Sequence, residues 1–426
     1  MNSNRPPVLL ILSELKMILR HTRLIGHSCR QGFIPVLVSS RTVDADRLAA
    51  LHADPTHPMS RLGGFCAVAD PSVDAVVAGV SPLLENYEVY GVVSCGEYFV
   101  NAAGALAALL RLPGAGWAAA NTSRNKLLQR VALPEFSPQW RAVLPGHRDH
   151  AIVPTPDCPA IVKPTGRMSS SGVVRLDDPH ELPDLLASYP DQETLLVEEL
   201  LTGPEFSVEA LVQDGQVVWA GVTRKDTTGG AGGVFVETAH TSGPAEPIDQ
   251  DLLTTHGEVL RKIGFRHGVS HGEYRRTSDG IMLMEVALRI PGDGICVLWE
   301  LATGASMEER IVDAALGIPI SYPIPTRRAR HLYLDLPRGE LVDVHCDAMA
   351  PNWTMLDGRW PSIAPTSADA PPRICAVLVS QLPGDTLGPL CDSDSRAVSV
   401  IVDAPLDRDV DEVAVEAAMA VDVVIQ

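Results

Sequence analysis

Aromatic side chains make up only 5% of the 426 residues, so any core built from this chain rests mainly on Val, Leu, Ile and Ala. No two of the eight cysteines, at positions 29, 66, 95, 158, 296, 346, 375 and 391, stand close together, and there is no Cys-x-x-Cys. This speaks against zinc-finger and thioredoxin-type spacings and reads as scattered buried thiols. Basic residues are in deficit, 34 against 53 acidic, for a net charge of −19. That balance argues against a nucleic-acid partner, which needs a basic surface to displace phosphate counterions. A small anionic ligand is not excluded, because a few local lysines and a metal ion can hold one on an acidic protein. Long apolar runs are lacking too. The first, Val8 to Leu12, is too short to span a membrane, and Met1 to Pro7 lacks the charged-then-apolar order of a signal peptide. The expectation is a cytoplasmic protein with no membrane partner.

What is present is a globular composition, 46% hydrophobic and 20% charged, at a length that suggests two to three domains. Val8–Leu12, Ile34–Val38 and Gly91–Cys95 read as short buried strands, alternating with helical stretches that reach Gly32, Val73–Val80 and Asn101–Leu110. Strands alternating with helices imply right-handed βαβ units, so residues 1–118 are expected to form an open parallel α/β domain. Pro113-Gly114-Ala115-Gly116 punctuates its end. From Ile161 to about Val286 the pattern changes to extended strands with turns such as Asp214-Gly215, as in an antiparallel α+β core. A Pro-rich tract at 318–325 marks a second boundary, and residues 326–426 return to β-rich alternation, ending on a helix at Asp411–Met419.

Four segments of the middle region carry chemistry. A strand, Ala160 to Pro164, ends in Lys163 and is followed by Thr165-Gly166-Arg167-Met168-Ser169-Ser170-Ser171-Gly172. Such a loop can offer N–H groups and hydroxyls to phosphate oxygens; by itself it is also an ordinary surface turn. It is no Walker A motif, because the lysine precedes it. The second segment, Leu195 to Glu209, reads strand, Gly203-Pro204 corner, strand. Alternation sets Phe206, Val208 and Ala210 on one side and Glu205, Ser207 and Glu209 on the other, where Glu209 is expected on a solvated face. In the third, two strands flank Ser278-Asp279-Gly280 as a three-residue loop; counting outward pairs Thr277 with Ile281, and hence Glu273 with Glu285. Like charges opposed across strands are unfavourable unless a cation lies between them, so the pair is either an Mg²⁺ site or a solvated hairpin. Glu285, Ala287 and Arg289 share a face. The fourth runs from Thr223-Arg224-Lys225 through the small-residue loop Gly229–Gly233 to His240, which could reach the phosphates or sit satisfied in the core.

In order, Lys126 in Asn125-Lys126-Leu127-Leu128, the Val-Lys-Pro strand, Glu-Glu-Leu-Leu-x-Gly-x-Glu and the two-glutamate hairpin resemble the ATP-grasp superfamily over about residues 119–317. The segments Thr223–His240 and Pro291-Gly292-Asp293 look like its L-amino-acid ligase and carnosine synthase branch. The resemblance implies an ATP-grasp domain at 119–325 with a mobile lid at about 134–200, and a β-rich C-terminal subdomain at 326–426. It assigns Lys126 and Lys163 to the α- and β-phosphates and Gly166–Gly172, with Ser169, Ser170 and Ser171, to a loop closing over the triphosphate. Glu198 would accept from the adenine amino group, the backbones of Glu199 and Leu201 would pair with the ring, and Glu205 would bind the ribose. Glu273 and Glu285 would hold Mg²⁺, with Mn²⁺ as the alternative ion. Arg289, together with His240, would act at the group being transferred.

The implied activity is an ATP-dependent ligase that joins an amino acid carboxylate to the amine of a second amino acid through an acyl phosphate. The partners implied are small amino acids, and a homodimer is admitted. The alternatives are an ATP-grasp enzyme with a non-amino-acid acceptor, or a nucleotide-binding protein without catalysis. Ala287 departs from the superfamily, which mostly carries Asn there, and so puts a second metal position in question. Glu97 is a candidate for a substrate amine or simply part of a helix N-cap region. Arg266, Arg275 and Arg276 are candidates for a substrate carboxylate or plain surface residues.

Overall fold

The computed structural model describes residues 5–40, 45–155, 158–230 and 235–426, so part of the Gly229–Gly233 loop lies outside the described residues. Strands β1 (Pro7–Ser13), β2 (Ile34–Ser40), β3 (Gly64–Val68) and β4 (Glu88–Cys95) form a parallel sheet in the order β3-β2-β1-β4. The central β1 shows why a continuous apolar run was needed. Leu9 and Ile11 enter one core, with residues from the helices Ile295–Thr303 and Met307–Ala315, while Val8, Leu10 and Leu12 enter another beneath the helix Val100–Leu110. A strand covered on both faces has no polar side to display. β3 escaped the sequence pattern because it is short and its Phe65 is exposed.

A smaller antiparallel sheet, order β5-β8-β6-β7, follows: β5 (Trp140–Val143), β6 (Ala160–Pro164), β7 (Val174–Leu176) and β8 (Leu195–Glu199). It has its own core of Val143, Ala160, Val162, Leu176, Leu182, Leu186, Leu195 and Val197. This is the segment expected to be a lid.

Among the described residues the main sheet has nine strands. β9 (Glu205–Gln213) and β10 (Gln216–Thr227) are joined by Asp214 and Gly215, both at positive φ (53° and 76°), the geometry of a two-residue hairpin turn. β11 (Glu237–Ser242), β12 (Gly268–Thr277) and β13 (Gly280–Ala287) complete the part that faces the lid. In the β12–β13 hairpin the ladder pairs Thr277 with Gly280, one step tighter than counted from the sequence. An irregularity between Glu273 and Tyr274 leaves Met284 without a partner and restores the pairing of Glu273 with Glu285. A bulge of one residue thus cancels an error of one residue in the turn.

Beyond the Pro-rich tract the chain does not start a separate sheet. β14 (Arg327–Tyr333) pairs with β11, and the sheet runs on through β19 and β17 to β16, giving the order β13-β12-β9-β10-β11-β14-β19-β17-β16. The strands after β14 are β15 (Gly339–Cys346), β16 (Asn352–Trp353), β17 (Arg373–Val379), β18 (Thr386–Leu387), β19 (Val398–Pro405) and β20 (Val421–Ile425). The chain therefore does not finish on the expected helix. Val410–Met419 is followed by β20, which closes a small sheet against β15. Among the described residues no helix is long and apolar enough to cross a membrane, and the eight cysteines form no disulfide; Cys29, Cys158 and Cys391 are exposed rather than buried.

Candidate active site

Three neighbouring strands supply a polar ladder. Arg275, Glu205 and Lys225 stand in one cross-strand row; Glu273, Ser207 and Thr223 form the next; His271, Glu209 and Gly221 form the third. The opposite face of β9 carries Phe206, Val208 and Ala210 into an apolar core, as alternation requires. The polar face is not solvated, and here the expectation for Glu209 is corrected. Its side chain is 0% exposed and receives hydrogen bonds from Ser207 (2.7 Å), Thr223 (2.7 Å) and the Trp299 indole (2.9 Å), and it bonds His271 Nδ1 at 2.8 Å. Gly221 makes room for that indole, since a Cβ there would come within 2.4 Å of Trp299.

Lys225 is the centre of this ladder. Its Nζ lies 3.0 Å from Glu205, 3.2 Å from Glu237 and 2.7 Å from Glu273. Burial alone would lower its pKa, but the three carboxylates outweigh burial and hold it well above the usual lysine range. His271 is likewise buried, and its bonds to Glu209 and Glu273 overcome desolvation to raise its pKa to about 9. It is therefore a cation at neutral pH.

A cavity of about 670 Å³ lies between this face, the lid and the N-terminal sheet. Lys126, Lys163, Gly166, Ser169, Ser170, Ser171, Glu198, Glu199, Leu201, Glu97, His240, Glu273, Glu285 and Arg289 all border it. Gly172 sits just behind the loop at φ 72°, and Ser169 and Ser170 are themselves left-handed (φ 54° and 57°), a conformation unusual for serine. Lys126 Nζ donates to the Arg167 carbonyl at 2.7 Å and pairs with Glu285 at 2.9 Å, so the helix Lys126–Ala132 is tied to both loop and hairpin. Lys163 pairs with Glu198 at 2.6 Å; burial, the larger effect, brings its pKa down to about 8.

Several assigned residues are already engaged. Glu198, expected to meet an adenine amino group, has both oxygens on Arg130 (2.6 and 3.2 Å) and Lys163. Burial works to raise its pKa, yet those cations bring it to about 2. The Glu199 N–H is donated to the Gln139 carbonyl and the Leu201 carbonyl accepts from Arg275, which leaves the Glu199 carbonyl and the Leu201 N–H for a ring. Glu205 does not border the cavity, and Lys225 (3.0 Å) and Arg275 (2.9 Å) hold its two oxygens. Glu97 is buried at the cavity wall, with its carboxylate paired to Arg124 (2.8 Å) and Arg289. His240 is buried beside Asp293 (3.8 Å); burial lowers its pKa to about 4, so it is neutral, and its Nδ1 has no hydrogen-bond partner among the described residues. Of the three arginines considered for a carboxylate, Arg275 is buried on Glu205 and Arg276 pairs with Asp249 and Asp251, while Arg266 is exposed.

Sequence reasoning passed over Arg130, Lys225, Glu237 and Arg396. Arg130 had a signal, since it lies four residues after Lys126 on the same helix face. Arg396, which pairs with Asp293 at 2.6 Å, had none, because it arrives from the far end of the chain. The donor set fits a hard divalent cation. Glu273 and Glu285 are Cα partners on the cavity wall, and no group of three or more candidate ligands occurs among the described residues. Mg²⁺ held by one or two carboxylates and completed by phosphate oxygens is such a case.

Residues 156–297 match the family model of the ATP-grasp domain. An uncharacterised protein, y4rH, of Sinorhizobium fredii is 26% identical over 58% of this chain, and the match spans 53% of that relative's length. Among solved structures, the L-amino acid ligase from Bacillus licheniformis superposes over 100% of both chains with a TM-score of 0.76 at 17% identity. The phosphoribosylglycinamide synthetase from Anaerococcus prevotii covers 99% of this chain and 100% of its own, with a TM-score of 0.67 at 14% identity. The chain thus carries a match to the ATP-grasp domain over residues 156–297 and, over its whole length, the fold of these solved structures.

Proposed function

We propose that the chain is an ATP-dependent carboxylate–amine ligase that joins two amino acids and releases ADP and phosphate. The observation that carries this reading is the convergence on one cavity of Lys126, Lys163, the Gly/Ser loop, the opposed Glu273 and Glu285, and Arg289. Lys126 and Lys163 bind the phosphates, and the lid loop covers them. Glu273 and Glu285 would hold Mg²⁺, which supplies neutralisation of the phosphate charge. Arg289, fixed by Glu97, faces the group being transferred. The γ-phosphorus–oxygen bond to ADP breaks as the substrate carboxylate oxygen takes the phosphoryl group. The amine then attacks the acyl carbon, the C–O bond to phosphate breaks, and the nitrogen loses a proton. The protein's part is positioning, charge neutralisation and exclusion of water, which would otherwise hydrolyse the acyl phosphate.

The test is chromatography of the nucleotide after turnover with pairs of amino acids, with the second amino acid present and absent. ADP whose formation depends on the amine is expected. AMP would overturn the reading, and ADP formed at the same rate without an amine would indicate another acceptor or an ATPase.

A further inference from the structure

Every other lysine or arginine on the cavity wall, from Lys16 on Asp394 to Arg396 on Asp293, is ion-paired to a carboxylate. Arg20 is the exception. It ends the helix Leu15–Arg20 that follows β1, and its guanidinium lies over the Trp360 ring, 5.0 Å from the centroid. Among the described residues none accepts a hydrogen bond from it or forms an ion pair with it. Arg20 also borders a second cavity, of about 350 Å³, whose wall includes Leu15, Leu19, Met355 and Trp360. Lys126, Lys163, Glu273 and Glu285 border only the first. A half-buried guanidinium over an indole, with its N–H fork unused, is preorganised for a planar anion.

Resting on the ligase reading, we propose that Arg20 binds the α-carboxylate of the amine-bearing amino acid, whose side chain enters the second cavity. The chemistry selects this substrate. The acyl donor's carboxylate is consumed by phosphorylation at the Lys126 and Lys163 end, whereas the acceptor presents a neutral amine and keeps its carboxylate throughout. An unpaired cation away from the phosphate residues matches the group that persists. The apolar part of the second cavity's wall, Leu15, Leu19, Met355 and Trp360, favours an acceptor with an apolar side chain.

The experiment compares L-alanine, L-leucine and L-methionine with their α-carboxamides as acceptors, against each standard L-amino acid as donor, in the wild type, Arg20→Met and Arg20→Lys. For the wild type, kcat/KM for the acid should exceed that for the amide by at least about tenfold, through KM. Arg20→Met should abolish that preference by lowering the acid alone, with the amide and the KM for ATP unchanged, and Arg20→Lys should recover part of it. Equal loss of acid and amide, a preference untouched by either variant, or a raised KM for the donor instead would overturn the assignment. A wild type whose ADP release no amine stimulates would remove the ligase reading itself; amine-stimulated release with an acid preference indifferent to Arg20 would remove only this proposal.

Discussion

Lys225→Met should destabilise the protein through electrostatics alone, because methionine preserves most of the buried stem while removing the charge. The lysine faces Glu205, Glu237 and Glu273, but each carboxylate keeps another cation: Arg275 for Glu205 at 2.9 Å, Arg396 for Glu237 at 3.7 Å, and His271 for Glu273 at 3.3 Å. Because each carboxylate keeps a partner, the variant loses one buried positive charge rather than leaving three carboxylates bare, and the loss should be about 3–5 kcal/mol at neutral pH. Urea unfolding followed by tryptophan fluorescence measures it, with Trp219 and Trp299 in edge contact beside the ladder as reporters. A carboxylate forced to stay charged has its folded pKa raised above the unfolded value, so the deficit is present at high pH and shrinks as pH falls toward 5. Adding Glu273→Gln to Lys225→Met should recover most of the loss. A deficit below about 1 kcal/mol, or one of equal size at pH 5 and pH 8, would show that the lysine is not the counter-charge of this ladder.

Glu285→Gln should abolish ADP formation while leaving the urea midpoint near that of the wild type, since Glu285 is only half-buried; near-normal turnover at saturating Mg²⁺ would remove it from the metal site. Lys163→Ala should weaken ATP binding by about 1.5–3 kcal/mol in calorimetric titration, the value of a charge-assisted contact, and unchanged affinity would reject it as a phosphate ligand. His271, whose pKa is raised from 6.5 to about 9, contributes stability that is full below pH 6.5 and is lost as pH rises through 9. The nucleotide- and Mg²⁺-free protein should thus lose up to about 3 kcal/mol over that window, and His271→Gln should flatten the profile; a wild-type midpoint constant from pH 6.5 to 9 would contradict the cationic histidine.

The sequence by itself determined three of the four strands of the parallel sheet, the order of the site segments and the opposition of Glu273 and Glu285. These are local or periodic properties: a doubly covered strand must be apolar throughout, and a hairpin carries its register with it. Even there the agreement came from two compensating shifts, a tighter turn and a bulge at Met284, which periodicity cannot register. Only the tertiary structure decided which charges are spent on one another. Glu97 meets Arg289 across 192 residues, Arg396 meets Asp293 across 103, and Glu209 is buried because β10 and β12 cover it from both sides. The sequence set side chains on strand faces but not what those faces would meet. A carboxylate reads the same in a chain whether it ends in solvent, in an ion pair or free for a ligand. The difference lies in desolvation and in partners brought by distant strands, and for that reason Glu205 and Glu198 proved to be engaged while Arg20 did not.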